Sequence, residues 1–80
     1  MYYNLKITAE EPDTEIWLSA PGEFDGEIID HLVQKEIGVM NTSIVPGDYY
    51  VCFGPLYKNM PKHLVQVKEN ISIRERSYQK

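Results

Sequence analysis

Eighty residues make one domain with a thin stability margin, because a chain this short buries only about 60% of the surface its unfolded form exposes. Cys52 is the only cysteine, which excludes an internal disulfide and fits a reducing compartment better than a secreted disulfide scaffold. The net charge of −4 is mild but unevenly divided: residues 1–40 hold nine acids and two bases, residues 41–80 three acids and six bases.

The opening Met1-Tyr2-Tyr3-Asn4-Leu5-Lys6 has no basic lead into an apolar run, and no stretch approaches the length of a membrane span. A cytoplasmic protein is therefore expected, with no membrane partner.

Residues 2–9 read as a strand, with Tyr3, Leu5, Ile7 and Ala9 on one face and Tyr2, Asn4, Lys6 and Thr8 on the other. Glu10-Glu11-Pro12-Asp13 is a turn, since Pro12 cannot donate to a ladder. Residues 14–20 supply a second strand around Ile16, Trp17 and Leu18, and the two strands together suggest an antiparallel hairpin. Pro21-Gly22 ends it.

Residues 25–37 carry the marks of an amphipathic helix. Asp25 suits an N-cap, and Glu27 lies in the first turn, where the dipole favours negative charge. Ile29, Val33 and Ile37 recur at four-residue spacing, with Ile28 and Leu32 widening the stripe. Gly38 follows as a C-terminal cap would. Such a stripe needs an apolar surface to cover, and a sheet face would provide one.

A third strand is expected over 39–45, a turn at Pro46-Gly47, and the strongest strand over 49–53. Gly54, Pro55, Asn59 and Pro61 make 54–62 a loop. Residues 63–67 and 71–74 give a last strand or a pair broken at Lys68-Glu69-Asn70, and 75–80 form a polar tail expected to fray. The expected fold is a single α+β domain over 1–80: a mainly antiparallel sheet in the order β-β-α-β-β-β, with one amphipathic helix packed on one face. One fragment, Ser43-Ile44-Val45-Pro46-Gly47-Asp48-Tyr49-Tyr50-Val51, covers about a tenth of the chain and does not enter the expected fold, because the helix expected over 25–37 departs from the family it is similar to. It resembles the proline-glycine-x-tyrosine turn of PEGA and related small β-sandwich domains, whose middle is strand throughout.

The residues offer little for catalysis. Cys52 lies between Val51 and Phe53 in an apolar strand, the setting of an inert thiol. Glu27 and His31 are four apart on the expected helix, with His63 a conceivable third ligand, but a metal site needs more donors than this. The glycines form none of the spacings of a phosphate-binding loop. No enzyme activity, cofactor or metal is expected. Direct nucleic-acid binding is not expected either, because the bases Lys58, Lys62, Lys68, Arg74, Arg76 and Lys80 are spread along the second half, and Glu75 dilutes the one local pair.

Eight acids and no base lie between Lys6 and Lys35: Glu10, Glu11, Asp13, Glu15, Glu23, Asp25, Glu27 and Asp30. A negative surface of this kind speeds encounter with a basic protein and fixes register, while aromatic anchors such as Trp17 and Tyr50 would supply affinity. The expected function is a small non-catalytic protein-binding module, an inhibitor or adaptor docking this acidic surface on a basic partner. In size and charge it looks like the phage-encoded inhibitors of host nucleases and CRISPR complexes, anti-CRISPR proteins among them. The alternative is a structural or accessory domain of a virion or envelope assembly, or a homodimer formed through an open sheet edge.

Overall fold

The computed structural model describes residues 1–20, 32–55 and 61–78. Seven strands follow one another: β1 (Tyr3–Thr8), β2 (Glu15–Ser19), β3 (Leu32–Ile37), β4 (Val39–Ile44), β5 (Gly47–Phe53), β6 (His63–Val67) and β7 (Ile71–Arg74), then a single 3-10 turn at Glu75–Tyr78. They form a three-stranded sheet in the order β4-β1-β7 and a four-stranded sheet in the order β3-β2-β5-β6. Neighbours are antiparallel except β1 and β7, which run parallel.

The two inner faces meet. Leu5 and Ile7 from β1 and Met40 and Ile44 from β4 pack against Ile16, Leu18, Tyr49, Val51, Val65 and Val67 from the other sheet. Alternation puts these side chains inward, and full burial of each aliphatic one contributes roughly 1.5–3 kcal/mol. One buried hydroxyl closes a corner of the core: Tyr49 Oη donates to the Val45 carbonyl at 2.6 Å, across the Pro46-Gly47 turn.

This is a β-sandwich, and it corrects the α+β expectation. No helix of seven or more residues occurs among the described residues. Leu32–Ile37, the second half of the expected helix, is strand β3, paired with β2 along Glu15↔Ile37, Ile16↔Glu36, Trp17↔Lys35 and Leu18↔Gln34. The first half, 25–31, lies outside the described residues. The physical reason lies in what the sheets do with their apolar faces. Each covers the other, so no inner face is left for a helix, and the supposed stripe residues Leu32, Val33 and Ile37 are exposed on an edge strand. Tertiary pairing overrides local periodicity here.

A second correction concerns β1 and β2. They do not pair as a hairpin but belong to different sheets, and residues 9–14 arch from one to the other. The break at Lys68-Glu69-Asn70 likewise carries the chain between sheets, from β6 to β7. Among the described residues no helix is long and apolar enough to cross a membrane.

Candidate binding surface

The acids that lie in the described residues gather at the arch. Pro12 occupies the second position of a tight turn, where its fixed φ is favoured, and the Thr14 amide donates back to the Glu11 carbonyl at 3.2 Å. The arch is then tied to the crossing between β3 and β4. The Ala9 amide donates to Gly38 O at 2.9 Å, and the Gly38 amide donates to Thr14 O at 2.8 Å. Gly38 has φ 82°, and a Cβ there would sit 2.7 Å from the Pro12 carbonyl oxygen. Only glycine lets the two segments approach this closely. A further tie comes from the chain end, where the Glu10 amide donates to Glu75 Oε1 at 2.9 Å.

Glu10, Glu11 and Asp13 are therefore exposed carboxylates on a clamped backbone. Beside them runs a shallow groove of about 410 Å³ lined by Ala9, Pro12, Ile37 and Val39, with Thr8 and Glu10 at its margin. Ile37 is 58% exposed and Val39 43%, so the two β-branched side chains that flank Gly38 are open to solvent. The arrangement is an apolar strip with an acidic border.

Glu15 has a different part. It starts β2, and its carboxylate pairs with Lys35 at 3.1 Å. The same ammonium lies 4.7 Å from the centre of the Trp17 ring, in cation–π range. Trp17 is only 8% exposed, and its indole N–H donates to the Gly54 carbonyl at 2.8 Å. The expected anchor thus leaves little of its ring open to a partner. Tyr50 is half-buried against Trp17 and Cys52, with which it forms a small second cluster on the outer face of the four-stranded sheet. Ser19, opposite Tyr50, is fully buried, and its hydroxyl has no hydrogen-bond partner among the described residues. The remaining acids named in the sequence, Glu23, Asp25, Glu27 and Asp30, lie outside the described residues.

Cys52 is buried, and its Sγ lies 3.2 Å from the Pro61 carbonyl, which accepts from it. Burial pushes the thiol up to about 11, partly offset by the Lys62 charge. At neutral pH it is a thiol, not a nucleophile. Among the described residues, no three His, Cys, Asp or Glu side chains come together as metal ligands would.

What sequence reasoning missed is on the other sheet. The outward residues of β1 pair with polar partners on both sides, as Asn4↔Ser43, Lys6↔Asn41, Lys6↔Ser72 and Thr8↔Arg74. The parallel β1–β7 pairing brings together residues about 66 positions apart, as the Asn4 amide donating to Asn70 Oδ1 shows (2.8 Å). Period-two alternation flagged each strand's outward set, but no local signal says which strands are neighbours.

Compared with known proteins, the chain matches no family model, no curated protein and no solved structure.

Proposed function

We propose that this protein is a small non-catalytic binding module, an inhibitor or adaptor that docks the acidic arch on a basic protein partner. The observation that carries the reading is the clamped arch itself. Glu10, Glu11 and Asp13 project from a backbone held by four hydrogen bonds, next to the exposed Ile37 and Val39. Carboxylates of this kind attract and orient a basic groove such as a nucleic-acid channel, while the apolar strip supplies the desolvated centre that affinity needs. Preformed geometry keeps the ordering cost of binding low. Glu15 contributes less to this surface than its sequence neighbours, because Lys35 already neutralises it.

The test reverses Glu10, Glu11 and Asp13 to lysine together and compares capture of proteins from the source organism with the unaltered protein. The variant should keep its circular dichroism spectrum and melting temperature, because the arch is held by backbone bonds, and should lose its captured partner. Capture by the unaltered protein should weaken steeply as salt rises above about 0.1 M, where the screening length is about 10 Å. Partner capture that survives both the reversal and the salt would refute the acidic-docking mechanism.

One observation favours the assembly alternative. Strand β3 is an edge of the four-stranded sheet and exposes Leu32 and Val33, a template for pairing with a second strand. Concentration-dependent growth in mass by light scattering, abolished by Val33→Lys, would support that reading. A monomer at every concentration would end it.

A further inference from the structure

The outer face of the three-stranded sheet gathers charge of the opposite sign. Lys6, Thr8, Ala9, Glu10, Arg74 and Arg76 line one concavity of about 280 Å³ at the end of β1. Two of its bases come from the far end of the chain. Arg74 is placed beside Thr8 by the parallel register of β1 and β7, and Arg76 follows in the 3-10 turn. Glu75, which separates the two arginines in sequence, has an oxygen engaged by the Glu10 backbone amide. Three bases line the concavity with one acid, Glu10, and the Glu75 carboxylate lies close by on the Glu10 amide, so bases outnumber acids there by three to two in a protein whose net charge is −4.

None of the three bases is satisfied within the described protein. Among the described residues, no ion pair or hydrogen bond involves the side chains of Lys6, Arg74 or Arg76. An unpaired surface lysine is ordinary, since its ammonium stays hydrated. Three cations lining one concavity are different, because together they can converge on a single anion. Guanidinium groups present paired N–H donors matched to tetrahedral oxyanions, and the Thr8 hydroxyl adds a neutral donor.

We propose that Lys6, Arg74 and Arg76 form a binding site for a phosphate monoester. Three positive groups match a charge of about −1.5 to −2 at neutral pH better than the single charge of a carboxylate. The adjoining face fits the rest of such a ligand as a polar group. A second concavity of about 400 Å³ lies along Asn4, Asn41, Thr42 and Ser43, and Lys6 pairs directly with Asn41 between the two. Asn41 and Thr42 offer hydrogen bonds to a polyol, while the Ser43 hydroxyl donates to Asn4 Oδ1 at 3.3 Å. Among the described residues no aromatic one lines either concavity, and the exposed Tyr2 lies just before β1. Thr8, Ala9 and Glu10 line both this concavity and the acid-bordered groove, so the two proposals are told apart by their variants: Arg74 and Arg76 here, the three acids there.

The experiment is an amide NMR titration of the full chain with glycerol 3-phosphate, with glycerol, and with a short single-stranded oligonucleotide. Glycerol 3-phosphate should move the amides of Lys6, Thr8, Arg74 and Arg76 saturably, with a dissociation constant of about 1 mM or lower. Glycerol alone should not. Arg74→Ala and Arg76→Gln should each weaken binding about tenfold, the loss expected for one charge-assisted contact. Both side chains are exposed, so the folds should persist; an unchanged spectrum away from the site verifies this, and Arg76→Gln, outside the sheet, serves if Arg74→Ala fails to fold. The proposal is overturned by an absence of saturable shifts up to about 20 mM, by equal shifts with glycerol, or by undiminished binding in both variants. Tight binding of the oligonucleotide with none of glycerol 3-phosphate would overturn it too, in favour of a nucleic-acid backbone.

Discussion

Replacing Gly38 by alanine tests how the arch is held. The backbone there has φ 82°, outside the range an L side chain adopts comfortably, and the strain costs roughly 1–2 kcal/mol. The new Cβ would also meet the Pro12 carbonyl oxygen at 2.7 Å. That atom belongs to backbone and cannot rotate away. Relief requires the arch to move off the β3–β4 crossing, which weakens the Ala9–Gly38 and Gly38–Thr14 bonds, each worth about 0.5–1.5 kcal/mol. Together these give about 2–4 kcal/mol, a large part of the roughly 4–12 kcal/mol expected of a domain this size. Gly54→Ala is the internal control, because φ is 95° there but no atom lies within 4 Å of the added carbon. It should cost only the strain, about 1–2 kcal/mol. Urea unfolding at equal m-value gives both numbers, with Trp17 fluorescence as one probe and circular dichroism as the second. Equal costs for the two variants, or a Gly38→Ala cost below about 1 kcal/mol, would refute the claim that close approach to Pro12 demands glycine.

Tyr49→Phe removes the hydroxyl that donates to Val45 and should destabilise the protein by about 1 kcal/mol in the same urea assay. Met40→Ala, at a fully buried position between the sheets, should cost about 2–5 kcal/mol, since the cavity can collapse only partly. The Cys52 thiol should resist alkylation at neutral pH until the protein unfolds, as mass spectrometry after iodoacetamide treatment would report. Its folded pKa is raised, from 9.0 to about 11, so the proton is released first in the unfolded chain. Stability should therefore be intact below pH 9 and fall as pH rises from 9 toward about 11, and Cys52→Ala should lack that component of the melting-temperature profile.

Some of this was legible in the chain and some was not. Alternation in Tyr3–Thr8 and Gly47–Phe53 marks both strands and their inward residues, because a strand's faces are set by a period of two whatever its neighbours. The Glu10-Glu11-Pro12-Asp13 turn and the punctuation at Pro46-Gly47 follow from local backbone chemistry in the same way. Cys52 as a buried thiol was equally readable, from its apolar flanks. Leu32–Ile37 was not. Its apolar spacing fits a helix as well as an edge strand, and the choice fell to the ladder with β2, a partner remote in sequence.

The residues proposed to bind divide along the same line. Contiguous charge is a property of sequence, so Glu10, Glu11 and Asp13 declared themselves before any fold was known. The fate of Glu15 and Trp17 depended on Lys35, which only the β2–β3 pairing delivers. Lys6, Arg74 and Arg76 gave no local signal at all, since their meeting requires the first and last strands to lie side by side. Short-range chemistry is written residue by residue along the chain, whereas neighbours across a sheet are selected by the burial of two whole faces at once.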